Sequence, residues 1–141
     1  MTSLDWPSLS ADYAQYHRTA GNRLCHMIGI PLIVFSLVYW TRWPAANPVP
    51  LIAVALPLYF RWSFGLGAGM TLLLGVCSAL SAALPAWTSW AAFLAGWIFQ
   101  FAGHRIFERK SPAFMRNAVH LLVGPAWILR EAIGMRHSGE I

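Results

Sequence analysis

From Met27 to Thr41 the chain carries no charged residue, and three further uncharged runs follow at residues 48–60, 63–84 and 87–104. A stretch of about 20 apolar residues is the length of a helix that crosses a bilayer, where every backbone group must be satisfied internally. The run at 63–84 meets that length alone. The first gains it by starting near Leu24, and the second by tilting or borrowing Ala45 and Ala46. Charged residues make up only 11% of the chain, against roughly one-quarter in soluble domains. The expectation is a single all-α membrane domain over residues 1–141, an integral helical bundle. It has about four transmembrane helices, with interfacial or re-entrant helices at either end.

Residues 8–24 read as a polar amphipathic helix capped by Ser8 or Ser10, and Gly29-Ile30-Pro31 as the point where the chain turns into the bilayer. Gly65 and Gly69 make a GxxxG pattern, which permits close helix approach. Residues 113–135 read as a last helix, broken or kinked near Gly124-Pro125, lying at the interface or re-entering. Asp5, Trp6, Pro7 and Asp12 stand where a secretory signal would be basic. Cys25 and Cys77 have no CxxC spacing and are read as small buried hydrophobes.

Four spans bring both ends to one side. The basic residues at 18, 23, 61, 105, 109, 110 and 116 then share that side, with Arg42 the exception, which makes it cytoplasmic. That is the inner membrane of a bacterium or the endoplasmic reticulum of a eukaryote. The net charge of +5 is not gathered into the long stripe that nucleic acid requires, so the expected partner is the lipid bilayer. Nothing in the sequence sets an oligomeric state.

The same topology gathers His17, His26, His104 and His120 at one membrane face. Imidazole is the commonest metal-binding side chain, so the four are candidate ligands of one ion. On an unbroken helix His17 and His26 would point nearly opposite ways; sharing a site requires a bend between them or two separate elements. Gln100, His104 and Glu108 fall four residues apart on one helix face. Glu108 would fix the His104 tautomer, ligate the metal itself, or order the helix end in a His–Glu pair. Asn22 and Gln100 are candidate supporting donors, and Arg18, Arg23 and Arg105 candidate partners for an anionic substrate. His137, near the C-terminus, has no expected role. No Ser-His-Asp set, phosphate loop or HExxH stands in the sequence, which leaves hydrolase and nucleotide-driven chemistry without residues.

The strings Tyr16-His17-Arg18-Thr19-Ala20-Gly21-Asn22-Arg23-Leu24-Cys25-His26-Met27-Ile28-Gly29-Ile30-Pro31 and Gln100-Phe101-Ala102-Gly103-His104-Arg105-Ile106-Phe107-Glu108, with Ser111-Pro112-Ala113 after them, resemble the Mpo-type 2-hydroxy fatty acid dioxygenases. The likeness spans nearly the whole chain. It implies an Fe(II)-dependent enzyme of fatty acid α-oxidation that uses O2 to shorten a 2-hydroxy fatty acid by one carbon. His17, His26 and His104 match the iron-binding positions, and His120 is left as ligand or substrate contact. Residue types alone admit zinc equally well. The rival readings are a b-type haem protein and a non-catalytic lipid-binding or scaffold protein.

Overall fold

A computed structural model describes residues 5–42 and 49–134, and those residues are helical without strands. Six helices follow in order: α1 (Trp6–Ala14), α2 (Ala20–Trp40), α3 (Val49–Trp62), α4 (Phe64–Ala83), α5 (Trp87–Ala102) and α6 (His120–Ala132). A π-helical turn over Gly103–Glu108 extends α5, and a 3-10 turn spans Ala113–Met115. His137, Ala45 and Ala46 lie outside the described residues.

The expected helix at 8–24 is two helices. Asp5 caps α1, its carboxylate accepting from the Ser8 N–H at 3.1 Å, with a proline in the first turn. Thr19 caps α2 through the Asn22 N–H at 3.3 Å. The intervening residues supply the bend that lets His17 and His26 converge. Gly29-Ile30-Pro31 does not interrupt the helix: α2 runs through Pro31 without a break. Gly29 serves packing instead. A Cβ there would lie 2.8 Å from the Gly96 carbonyl oxygen, and one on Gly96 the same distance from that of Gly29. This backbone-to-backbone contact makes α5 the closest neighbour of α2.

The GxxxG expectation needs a similar correction. Gly65 is exposed, whereas Gly67 faces Phe60 and Gly69 faces Leu129. α4 is thus fitted to α3 and α6 by a pair of glycines two residues apart, not four. Leu66, Met70, Leu74 and Cys77 of α4 then join Val34 and Val38 of α2 and Val123, Ala126 and Trp127 of α6 in one core. At the other end Ser36 donates to the Ser89 carbonyl at 2.9 Å and the Trp40 indole to the Ser89 hydroxyl at 2.9 Å, so no buried hydroxyl is left open there.

Two described helices, α2 and α4, are long and apolar enough to cross a membrane. α3 has 14 residues and α5 has 16, the latter lengthened by the π-helical turn, so neither helix alone reaches the length of about 20 residues of a straight crossing. α6 continues through Pro125 without the expected break.

Candidate metal centre

His17, His26 and His104 meet in the interior. The ring centroids of His17 and His26 are 4.3 Å apart, those of His17 and His104 4.9 Å, and those of His26 and His104 4.8 Å. The ring planes cross at 78°, 71° and 88°, so the three imidazoles stand almost mutually perpendicular. One ring nitrogen of each lies within 4.8 Å of those of the other two. The residues are exposed by only 1%, 2% and 1% respectively.

Local structure fixes two of the tautomers. His17 Nδ1 lies 2.7 Å from the Tyr13 carbonyl oxygen and His26 Nδ1 2.9 Å from that of Asn22. A carbonyl can only accept, so both Nδ1 atoms carry the proton and both Nε2 atoms keep a free lone pair. Backbone carbonyls orient metal-ligating histidines in this way. His17 Nε2 and His104 Nδ1 are fully buried and have no hydrogen-bond partner. An unsatisfied buried polar atom costs roughly 1–3 kcal/mol, so this cluster is arranged to receive something. Burial, reinforced by the neighbouring His26 ring, pushes the His17 imidazole down to about 3, which keeps it neutral and ready to ligate. Three neutral imidazoles fit a divalent iron or zinc ion. They leave no slot for a porphyrin between two facing rings, so the haem reading has no support in this geometry.

His104 reaches the cluster through the π-helical turn, a rare widening that often marks functional sites. Glu108, on the same turn, acts on the His104 ring by its charge. Instead of fixing the His104 tautomer or joining the ligands, the Glu108 carboxylate caps α2. It accepts from the Arg18 N–H at 3.1 Å, the Thr19 N–H at 3.1 Å, the Thr19 hydroxyl at 3.0 Å and the Asn22 amide at 3.3 Å. Burial works against its charge, but these bonds outweigh it and hold the carboxyl below its usual range. Asn22 is wholly buried beside it. Its amide also donates to the Tyr16 carbonyl at 2.8 Å, and its own carbonyl orients His26. Gly103 makes room for this, since a Cβ there would fall 2.4 Å from Asn22 Oδ1.

His120 is not in the cluster. It is buried on α6, with the Tyr13 ring stacked on His17 at 4.0 Å and meeting His120 edge-on at 5.8 Å. It is not among the residues whose ring nitrogens lie within 4.8 Å of one another.

A cavity of about 280 Å³ opens beside the histidines. Ile30, Val34 and Leu37 of α2 and Phe93 and Trp97 of α5 wall it along the bundle, with Met70 and Leu74 of α4 opposite; Gln100 and His120 join the three histidines at the polar end. Gln100 Nε2 is buried without a partner. None of the three candidate arginines lines this chamber. Arg18 and Arg105 are exposed. The Arg23 Nε donates to the His17 carbonyl at 2.9 Å, and its Nη1 pairs with Glu131 at 3.5 Å. Arg23 thus braces the backbone behind His17. The residues missed from sequence are Tyr13, which orients and stacks on His17, and Asp12 beside His120; the i, i+4 spacing of Tyr13 and His17 was the available signal.

Three converging buried imidazoles beside an apolar chamber form a group that could hold a metal ion. A family model described as 2-hydroxy-palmitic acid dioxygenase Mpo1-like matches residues 6–136, and the chain belongs to that family. It is similar to the 2-hydroxy-palmitic acid dioxygenase MPO1 of Saccharomyces cerevisiae, with 31% identity over 138 residues, covering 91% of this chain and 79% of the yeast protein. No solved structure matches the chain.

Proposed function

We propose that this protein is a non-haem Fe(II) dioxygenase of fatty acid α-oxidation, converting a 2-hydroxy fatty acid to the acid one carbon shorter with O2. The observation that carries the reading is the meeting of His17, His26 and His104, from segments far apart in sequence, at the head of an apolar chamber. His17, His26 and His104 would hold the ion, which when bound supplies the chemistry that engages O2. The preference for iron over zinc comes from the kinship with a dioxygenase.

The chain's own contribution is positioning. The Tyr13 and Asn22 carbonyls fix the imidazole faces, and the Glu108 cap holds the start of α2 against the π-helical turn, which sets the spacing of His26 and His104. The aliphatic and aromatic walls receive the alkyl tail and exclude water from the reacting end. Gln100 offers its free amide N–H groups to a substrate oxygen. Large apolar residues exposed on the outer helix faces, among them Val54, Leu72, Leu94 and Ile98, suit contact with lipid. We read α2 to α5 as embedded in the bilayer, both termini cytoplasmic, the histidines near the headgroups.

The test is to incubate the purified full chain with Fe(II), O2 and 2-hydroxypalmitate and to follow products by mass spectrometry. The expected product is pentadecanoic acid, lost on His26→Ala or His104→Ala. Metal-loaded protein that leaves the substrate intact refutes the enzymatic reading.

A further inference from the structure

The chamber contains a second buried imidazole site, and it is not used by the three-histidine centre. His120 is exposed by only 3%, lines the chamber, and its Nδ1 is buried with no partner. Its Nε2 lies 3.0 Å from Oδ2 of Asp12, a contact off the N–H axis that pairs the ring electrostatically with a half-exposed carboxylate. Asp12 comes from α1 and His120 from the start of α6, so the packing of those two helices builds the pair.

The other polar groups of the chamber outside the three-histidine centre supply no positive charge. The Tyr59 hydroxyl donates to the Leu122 carbonyl at 2.9 Å, and Gln100 is neutral. Among the described residues that line the chamber, His120 is the only one outside the three-histidine centre that can bear a positive charge. A carboxylate brought into an apolar cavity needs a charge-assisted donor. One ring separates His120 from the metal centre, since Tyr13 touches both His17 and His120. A 2-hydroxy acid has its carboxylate one bond from the hydroxyl-bearing carbon. It therefore suits two recognition points that line one chamber and share Tyr13 as a neighbour.

We propose that His120, oriented by Asp12, is the residue that receives the carboxylate of the 2-hydroxy acid. The exposed arginines have no part in that recognition. The inference rests on the substrate class proposed above and goes beyond it in naming the anion contact. His120 is a substrate-binding residue and Asp12 a positioning residue acting through it.

The test separates binding from turnover. Binding of 2-hydroxypalmitate and of hexadecane-1,2-diol, which keeps the hydroxyl but lacks the carboxylate, is measured by quenching of the chain's tryptophan fluorescence. The wild-type chain should bind the acid at least about tenfold more tightly than the diol, the factor expected of one charge-assisted hydrogen bond. In His120→Ala that preference should vanish while diol affinity and bound metal stay at the wild-type level. His120→Gln, which keeps a donor, should restore part of it. Asp12→Asn, which leaves the ring in place should Ala misfold, should weaken it several-fold. An acid preference that persists in His120→Ala and His120→Gln overturns the proposal, as does a wild-type chain with no acid preference. Loss of metal on His120→Gln would instead make it a ligand, and also overturns it. Preferential binding without any turnover would leave the His120 contact standing and remove the dioxygenase reading.

Discussion

Gly29 and Gly96 touch across the α2–α5 crossing so closely that a Cβ on either would sit 2.8 Å from the other's carbonyl oxygen. The contact lies within one helical turn of His26 and about two turns from His104. It therefore sets how near the two metal-binding ends of these helices come. Gly96→Ala would also press on Ile33 at 2.6 Å, so the helices must part. We expect a stability loss of about 1–3 kcal/mol and weaker metal binding. Gly75→Ala is the control: nothing lies within 4 Å of its Cβ position. It should leave metal binding unchanged and stabilise α4 by roughly 0.5–1 kcal/mol. Denaturant unfolding and metal titration of both variants check this; equal behaviour contradicts it.

Asn22→Ala removes the amide that ties the Tyr16 carbonyl and Glu108 to the head of α2. The His26 carbonyl partner belongs to the same residue, so its aim depends on that anchoring. Metal affinity should fall by about 10- to 100-fold, the usual effect of losing support behind a ligand. Competition against a chelator measures it, and wild-type affinity would show that Asn22 does not position His26.

Glu108 is held ionised by its bonds to α2, so its folded-state proton affinity is below that of the unfolded chain. The stability it contributes is present above about pH 4.5 and is lost as the pH falls further, through its lowered folded-state value. Glu108→Gln should lower stability at neutral pH and flatten the acid side of the stability curve. An unchanged acid limb in the variant contradicts the cap.

His17 titrates in the opposite chemical sense with the same pH direction. Its ring takes up a proton near 6.5 when unfolded and only near about 3 when buried. Between those values the unfolded chain binds more protons, so metal-free protein is most stable above about pH 6.5 and weakens as the pH falls toward 3. His17→Phe should flatten that slope, the window lying mostly above that of Glu108. Denaturant midpoints collected across the range decide it, and an undiminished slope in the variant places the titrating group elsewhere.

The apolar runs disclosed the helices because uninterrupted hydrophobicity leaves few alternatives, and the topology they implied gathered His17, His26 and His104. The break between α1 and α2 was also written in the sequence, in Asp5 before Trp6-Pro7 and in Thr19 three residues before Asn22. Ser8 or Ser10, the expected cap, instead lies inside α1. The π-helical turn at Gly103–Glu108 was not legible, since widening a helix by one residue leaves no compositional trace. Assuming a regular helix therefore put Glu108 beside His104 rather than on α2. The arginines were assigned by charge alone. Only the packing of α1 on α6 shows that His120, which lines the chamber, is paired with Asp12.

The most direct measurement is metal content of untagged full-length protein after anaerobic loading with Fe(II), for the wild-type chain and for His17→Ala, His26→Ala and His104→Ala. Three neutral imidazoles around one position predict about one ion per wild-type chain and less than about a fifth of that in each folded variant. A folded wild-type chain that retains almost no metal, or a His104→Ala chain that keeps its full complement, would contradict the three-histidine centre.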